Sequence, residues 1–235
     1  MCYRVFMVKQ TFPSVISDND ISILVGNGAC DLTQLSNSPK GKVIAVDGGL
    51  RHVLKAGLTP TAVIGDMDSA ELSDLQTAGG NVAILKSDEQ DTTDFEKALL
   101  ALDAPLCLAY GFLGLRVDHM LACLSVLARF TDKQKVILVG ADDLVHVTHG
   151  SFSMRLSTGA RLSIWPITPV KFATSSGLVW PVDGLTLAPD GQVATSNQMQ
   201  EEWLSVTPER GISGFYAVCC APEFLPQMIQ AVETA

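Results

Sequence analysis

The 235-residue chain is 47% hydrophobic, which fills one large core or two smaller ones and excludes a disordered chain. Its net charge of −9 argues against the basic surface that non-specific nucleic-acid binding requires, so an anionic substrate would need a bridging metal. No run reaches the roughly 18 apolar residues that cross a membrane, and no long apolar stretch follows a basic head, so a cytoplasmic location is expected.

From residue 21 to about residue 140, short apolar runs alternate with segments of helical spacing. Runs at 21–25, 43–46, 62–64, 82–85, 106–109 and 136–139 predict strands. Between them, 50–56, 70–78, 93–102 and 119–130 place apolar side chains three and four apart and predict amphipathic helices. Such alternation gives an α/β domain with a mostly parallel sheet, taken here as 1–145. After about residue 149 brief alternating runs are broken by Pro166, Pro169, Gly177, Pro181, Gly184, Pro189 and Gly191, which predicts antiparallel β-structure over 146–235. A β segment of about 85 residues is small for a core of its own, so it is expected to pack on the first domain or on a second copy of itself. Cys2, Cys30, Cys107, Cys123, Cys219 and Cys220 lack metal-finger or disulfide spacing, and several read as small buried hydrophobes.

Seven aspartates sit at the ends or starts of the hydrophobic segments: Asp47, Asp66, Asp68, Asp88, Asp91, Asp94 and Asp118. Nearby cations are few, namely Arg51, Lys86, Lys97 and Arg116. Carboxylates are costly to bury unpaired, and oxygen ligands of this kind suit Mg²⁺ carrying phosphate, so phosphoryl chemistry is the leading expectation. In an open parallel sheet, ligands gather at the carboxyl ends of strands, where Asp47, Asp66, Asp88 and Asp91 fall.

Asp66 and Asp68, one residue apart after Gly65, can offer neighbouring oxygens in an irregular loop, with Ser69 capping the next helix. The stretch 86–94 brings Asp91 and the Thr93 hydroxyl to a helix start, which favours anions and equally suits a solvated cap. Arg116 offers a planar fork for phosphate, and Asp118 can accept from it or reach a metal. No serine or cysteine nucleophile motif accompanies His119, so it reads as a hydrogen-bonding group rather than a base. Gly26-Asn27-Gly28 is a permissive turn able to approach a nucleotide without a dinucleotide fingerprint, and the chain has no Walker lysine. Asp47-Gly48-Gly49 leaves room for a ligand beside its carboxylate.

Taken together, these stretches resemble the thiamine pyrophosphokinase (thiamin diphosphokinase) family. The resemblance rests on Asp47-Gly48-Gly49, on Ile64-Gly65-Asp66-Met67-Asp68-Ser69, on Gln90-Asp91-Thr92-Thr93-Asp94-Phe95-Glu96-Lys97-Ala98, and on Gly111, Gly114, Arg116, Asp118, His119, Leu121 and Ala122. Gly177-Leu178-Val179-Trp180 and Thr195-Ser196-Asn197 resemble its substrate-side motifs. Two positions depart: Leu115 stands where the family usually has a glycine, and Cys123 where it has an asparagine.

The resemblance implies a Rossmann-like mostly parallel domain followed by a β-sandwich domain, paired into a homodimer. It implies transfer of the pyrophosphoryl group of ATP to the hydroxyl of thiamine. Asp66, Asp68, Asp91 and Asp94 would hold Mg²⁺, with Arg116 and Asp118 beside them in catalysis. Asn27, Asp47, Gly48, Gln90, Thr93, Arg116 and His119 would bind ATP, and Trp180, Ser196 and Asn197 would bind thiamine. Two other readings of the same acids are a pyrophosphokinase for another small alcohol, such as a hydroxymethyl pterin, and a nucleotide-binding module without turnover.

Overall fold

The computed structural model describes residues 16–65, 82–86, 91–211 and 214–234. The helix expected over 70–78 lies outside them. In chain order the strands are β1 (Ile16–Ser17), β2 (Ile21–Val25), β3 (Val43–Val46), β4 (Ala62–Gly65), β5 (Ala83–Lys86), β6 (Leu102–Asp103), β7 (Leu106–Tyr110) and β8 (Val136–Val139). They continue as β9 (Leu144–Thr148), β10 (Phe152–Arg155), β11 (Arg161–Pro166), β12 (Val170–Ser176), β13 (Thr186–Leu187), β14 (Ala194–Gln198), β15 (Trp203–Pro208) and β16 (Tyr216–Cys220). Ten of them form one sheet in the order β14-β11-β16-β9-β8-β7-β2-β3-β4-β5. From β8 to β5 all pairings are parallel; β9 joins β8 antiparallel, and the rest follow antiparallel. A second antiparallel sheet runs β10-β15-β12-β13. The expected class is therefore the one observed, and its parallel and antiparallel parts share a single sheet whose change of direction falls at β9.

Strands β2, β3, β4, β7 and β8 are buried almost throughout, because helices or a second sheet cover both faces. Alternate residues part to opposite sides. Leu24, Ile44, Ala109 and Leu138 join a cluster with Phe95 and Leu127 of the helices Asp94–Ala101 and Val117–Phe130. Ile23, Val25 and Leu108 belong to the cluster of Leu35 and Val53, from the helices Leu32–Ser36 and Leu50–Lys55. That second cluster continues into the sandwich, where Phe172 meets Tyr216 edge-on at 5.1 Å between ring centroids.

Two helices depart from the sequence expectation. Leu32–Ser36 is a short turn whose start is capped by Asp31, which accepts from the N–H groups of Thr33 and Gln34. The larger departure is the helix Leu225–Thr234, where continued β-structure is expected. Met228, Ala231 and Val232 are buried on it, and it packs against β10. Pro222 and Pro226 look like breaks in the sequence, yet both fall where a helix begins, and a first turn has no need of a proline N–H. Among the described residues no helix is long and apolar enough to cross a membrane, and Cys30, Cys107, Cys123, Cys219 and Cys220 are all free thiols.

One histidine is locked inside the sheet. His146 of β9 is 6% exposed, with Nδ1 2.9 Å from the Val136 carbonyl and the ring beside Phe152. Burial disfavours its charged form and pushes its pKa down to about 4. Between that value and the ordinary one near 6.5, the unfolded chain takes the proton and the folded chain does not. Neutral His146 therefore contributes fully above about pH 6.5, and its contribution is lost as pH falls through 4. Denaturant titrations at successive pH values are expected to show stability falling over this window by roughly 3 kcal/mol at most from this group. The same titrations on His146→Leu should lack that component; an unchanged pH slope would show that His146 is not its source.

Candidate active site

The parallel strands leave β2 in two directions: β3, β4 and β5 lie on one side, β7 and β8 on the other. Beyond the carboxyl ends of β2 and β7 the connections diverge and open a crevice, the usual ligand position in such sheets. The turn Gly26-Asn27-Gly28 and the loop that begins at Gly111 form its floor. Gly26 N–H donates to Tyr110 O and Gly28 N–H to Gly111 O, both at 2.8 Å. His52 Nε2 donates to the Gly28 carbonyl at 3.1 Å and so braces the turn from the helix Leu50–Lys55. Asn27 is exposed, and its side chain lies over Gly48, where a Cβ would come within 2.6 Å of the Asn27 amide.

The acidic turns line up along the same edge. Asp47 follows β3, and Gly65 at the end of β4 packs against it. Asp66, Asp68, Asp88 and Gln90 lie outside the described residues. Asp91 is exposed just before the helix Asp94–Ala101; Thr93 caps that helix, its Oγ1 accepting from Glu96 N–H at 3.2 Å. Two contacts hold this helix to its neighbours. Phe95 lies 4.5 Å from Phe112 of the glycine loop between ring centroids, and Glu96 Oε2 accepts from Arg129 of the helix Val117–Phe130 at 2.6 Å. Among the described residues no three His, Cys, Asp or Glu side chains meet as a metal-binding group. The donors that the motifs offer are hard carboxylate oxygens, a fit for Mg²⁺ rather than for a thiolate- or imidazole-seeking ion.

Arg116 and Asp118 stand at the start of the helix Val117–Phe130 and grip each other through two hydrogen bonds, Nε to Oδ1 at 3.2 Å and an Nη to Oδ2 at 2.6 Å. Their side chains are 66% and 65% exposed, so the pair adds little to stability and is free to open for a ligand. The hydrogen bonds from Arg116 hold the Asp118 carboxyl below its ordinary range, which keeps it ionised and makes it a weak base. His119 is exposed beside them. Leu115, 76% exposed, has φ +58°, the left-handed region that costs a side chain roughly 1–2 kcal/mol, so the family's glycine at this position has a plain backbone reason. Cys123 is 5% exposed on the core face of the helix and takes no part in the loop.

In the second half, Trp180 is 59% exposed, which removes it from the β core and presents its ring to solvent. Asn197 is buried; its Oδ1 accepts from the N–H groups of Trp180 and Gln198 at 3.2 and 2.8 Å, and its Nδ2 donates to Trp180 O at 2.7 Å. Its amide is thus spent on fixing the Trp180 backbone. Ser196 is exposed, and its N–H donates to Ser163 Oγ at 3.0 Å. Among the described residues, Asp47, Leu115 and Ser196 are the non-glycine residues with positive φ, and all three lie in stretches that carry the resemblance. Strain of this kind persists where the surroundings demand a set direction for the side chain.

Sequence reasoning gave no role to two residues. Lys97 is 4% exposed, with Nζ 3.2 Å from Asp94 Oδ1. His52 acts on the glycine turn through a carbonyl, a contact with no sequence signature. For Lys97 too the pattern is silent: it stands roughly 160° round the helix from Phe95 and Leu99, so apolar periodicity does not mark it as buried.

Comparison with known proteins agrees with this arrangement in both halves. Residues 33–139 match the family model described as thiamin pyrophosphokinase, catalytic domain, and residues 152–212 match thiamin pyrophosphokinase, vitamin B1 binding domain. The chain is 32% identical over 167 residues to thiamine pyrophosphokinase 1 of Arabidopsis thaliana, and 30% identical over 174 residues to thiamine pyrophosphokinase 2 of the same plant. These alignments take in 63% and 66% of this chain and 61% and 64% of the plant proteins, less than two thirds of their length. Among solved structures, thiamin pyrophosphokinase from Candida albicans superposes with a TM-score of 0.74 at 16% identity, covering 89% of this chain and 93% of that one. The enzyme from Geobacillus thermodenitrificans does so with a TM-score of 0.73 at 21% identity, covering 86% and 97%, and both establish the shared fold. Matched by the two models in succession over most of its length, the chain belongs to the thiamin pyrophosphokinase family.

Proposed function

We propose that the chain is a cytoplasmic, homodimeric thiamine diphosphokinase that transfers the pyrophosphoryl group of ATP to the hydroxyl of thiamine, giving thiamine diphosphate and AMP. The observation that carries this reading is the alignment of the Asn27, Asp47, Asp91 and Arg116 turns along the carboxyl ends of neighbouring strands, in a chain whose halves match the catalytic and vitamin B1 binding models in order. Residues 1–145 would carry the nucleotide, and 146–235 thiamine and the dimer contact.

Asp66, Asp68, Asp91 and Asp94 would hold Mg²⁺, which when bound neutralises the triphosphate and orients it for in-line attack. Asn27, Gly48, Gln90, Thr93 and His119 border the nucleotide beside Asp47. Arg116 releases Asp118 and turns its fork to the phosphate oxygens, stabilising the charge of the transferred group. Asp118 is a weak base, so the thiamine hydroxyl gives up its proton late, to this or another carboxylate of the crevice. Trp180 offers a ring face to thiamine, with Ser196 beside it and Asn197 fixing the Trp180 backbone.

Sheet order supports the homodimer. Trp180 and Ser196 lie at or beside β14, five strands from β7, or about 24 Å along the sheet at ~4.8 Å per strand. Thiamine held there would lie far from a triphosphate in the crevice of the same chain, which favours a site completed by a second copy.

Incubation with Mg-ATP and thiamine is expected to yield AMP and thiamine diphosphate in equal amounts by mass detection; hydrolysis alone, or preference for a pterin alcohol, would overturn the assignment. Asp91→Asn should cut turnover ~10²-fold or more while the protein stays folded. Arg116→Lys keeps the charge and loses the fork, so turnover should drop with an unchanged melting temperature. Wild-type turnover of Arg116→Lys at subsaturating ATP would remove the clamp. The shared site has its own test. Arg116→Ala and Trp180→Ala chains, each inactive alone, should regain about a quarter of wild-type activity when co-expressed, because half the dimers then hold one intact site; no recovery in demonstrated mixed dimers would place both residues in one subunit's site.

A further inference from the structure

Lys97 occupies a position that costs it twice. Its side chain is 5% exposed, so its ammonium has left water, and it lies in the first turn of a helix, where the aligned peptide dipoles disfavour a cation. A lysine that only decorated the helix would reach to solvent along its flexible stem. Among the described residues its salt-bridge partner is Asp94, one turn back, at 3.2 Å through Oδ1. Asp94 is 34% exposed, so one oxygen of the carboxylate meets the lysine while the side chain stays open to solvent. The turn that carries both is fixed from outside by the Phe95 to Phe112 contact and the Glu96 to Arg129 pair.

We infer that Lys97 is a positioning residue: it pins one oxygen of Asp94 from the protein side, turns the other toward the bound metal–nucleotide, and supplies fixed positive charge beneath the acidic crevice. The inference rests on the proposed function for what the crevice holds. Partners that orient a ligating carboxylate are typically worth 10–100-fold in metal affinity or activity. Stability responds differently, since Lys97→Met removes the enclosed ammonium itself and leaves behind Asp94, which at 34% exposure stays within reach of water.

The test uses the full-length protein with Lys97→Met, Lys97→Arg, Asp94→Asn and the double variant Lys97→Met/Asp94→Asn. Calorimetry reads Mg-ATP affinity without turnover, steady-state assays separate kcat from KM, and melting reads the fold. Lys97→Met is expected to melt no lower than wild type yet bind Mg-ATP at least about tenfold more weakly, with Lys97→Arg recovering part of the loss. The double variant should bind no worse than Asp94→Asn alone, because both substitutions remove one arrangement. Wild-type Mg-ATP affinity in Lys97→Met, or losses that multiply in the double variant, would overturn the inference. So would a lowered melting temperature with binding intact, which marks a purely structural lysine. If Lys97→Met does not fold, Lys97→Gln carries the same comparison. A wild-type protein that binds Mg-ATP through Lys97 but makes no thiamine diphosphate would sink the proposed function and leave this inference standing.

Discussion

Where β2 and β7 end, two backbone turns approach until neither has room for a side chain. A Cβ on Gly26 would lie 2.8 Å from the Gly111 carbonyl oxygen, and one on Gly111 would run into the carbonyl of Gly26. This closeness sets the floor of the crevice, because it brings Asn27 on one turn and Phe112 on the other into fixed relation. Phe112 then meets Phe95, which sets the height of the helix bearing Asp94. Arg116 follows on the same loop, so the position of the guanidinium depends on the same backbone contact. An alanine at either glycine would reach the acidic edge through this chain of contacts without touching a carboxylate.

The parallel strands are legible in the sequence because burial on both faces demands continuous apolar runs such as Val43 to Val46, and turn residues punctuate them. The acids are legible for the complementary reason: an aspartate at the end of such a run is out of place unless a ligand meets it. The helix Leu225–Thr234 is hidden because a proline reads as an interruption, while its cost depends on which turn it occupies. Asn197 shows another limit, since its residue type gives amide chemistry and only the fold tells that the amide serves the backbone of Trp180. Lys97 reads as solvent-facing in a segment rich in charge, and only packing turns it inward. Sequence order likewise cannot say that Trp180 and Arg116 stand far apart along one sheet; that follows from how β9 and β16 insert between them.

Lys97 and Arg116 differ sharply in burial. Lys97 is enclosed and lies against one carboxylate, so its charge is a permanent part of the surroundings. Arg116 is open to solvent, and its pairing with Asp118 is an exposed contact of small net energy, the kind that the proposed function would exchange for phosphate. The net charge of −9 gives the chain no general attraction for a polyanion, so the nucleotide of the proposed function would depend on local positive charge, helix starts and a metal. The left-handed backbone at Asp47 and Leu115 belongs to this economy of direction: each turns the chain sharply just where a strand end gives way to a helix.

The single sheet that runs through both halves has a bearing on how the protein can be divided. β8, a Val-Ile-Leu-Val strand buried on both faces, is paired with β7 on one side and β9 on the other. A chain cut between Gly140 and Leu144 would leave its outer edge bare, flat and apolar, the kind of edge onto which further strands add without limit. The first half cut there is therefore expected to aggregate, and the second half, whatever it binds, also serves as the cover that keeps the first one apart from its own copies.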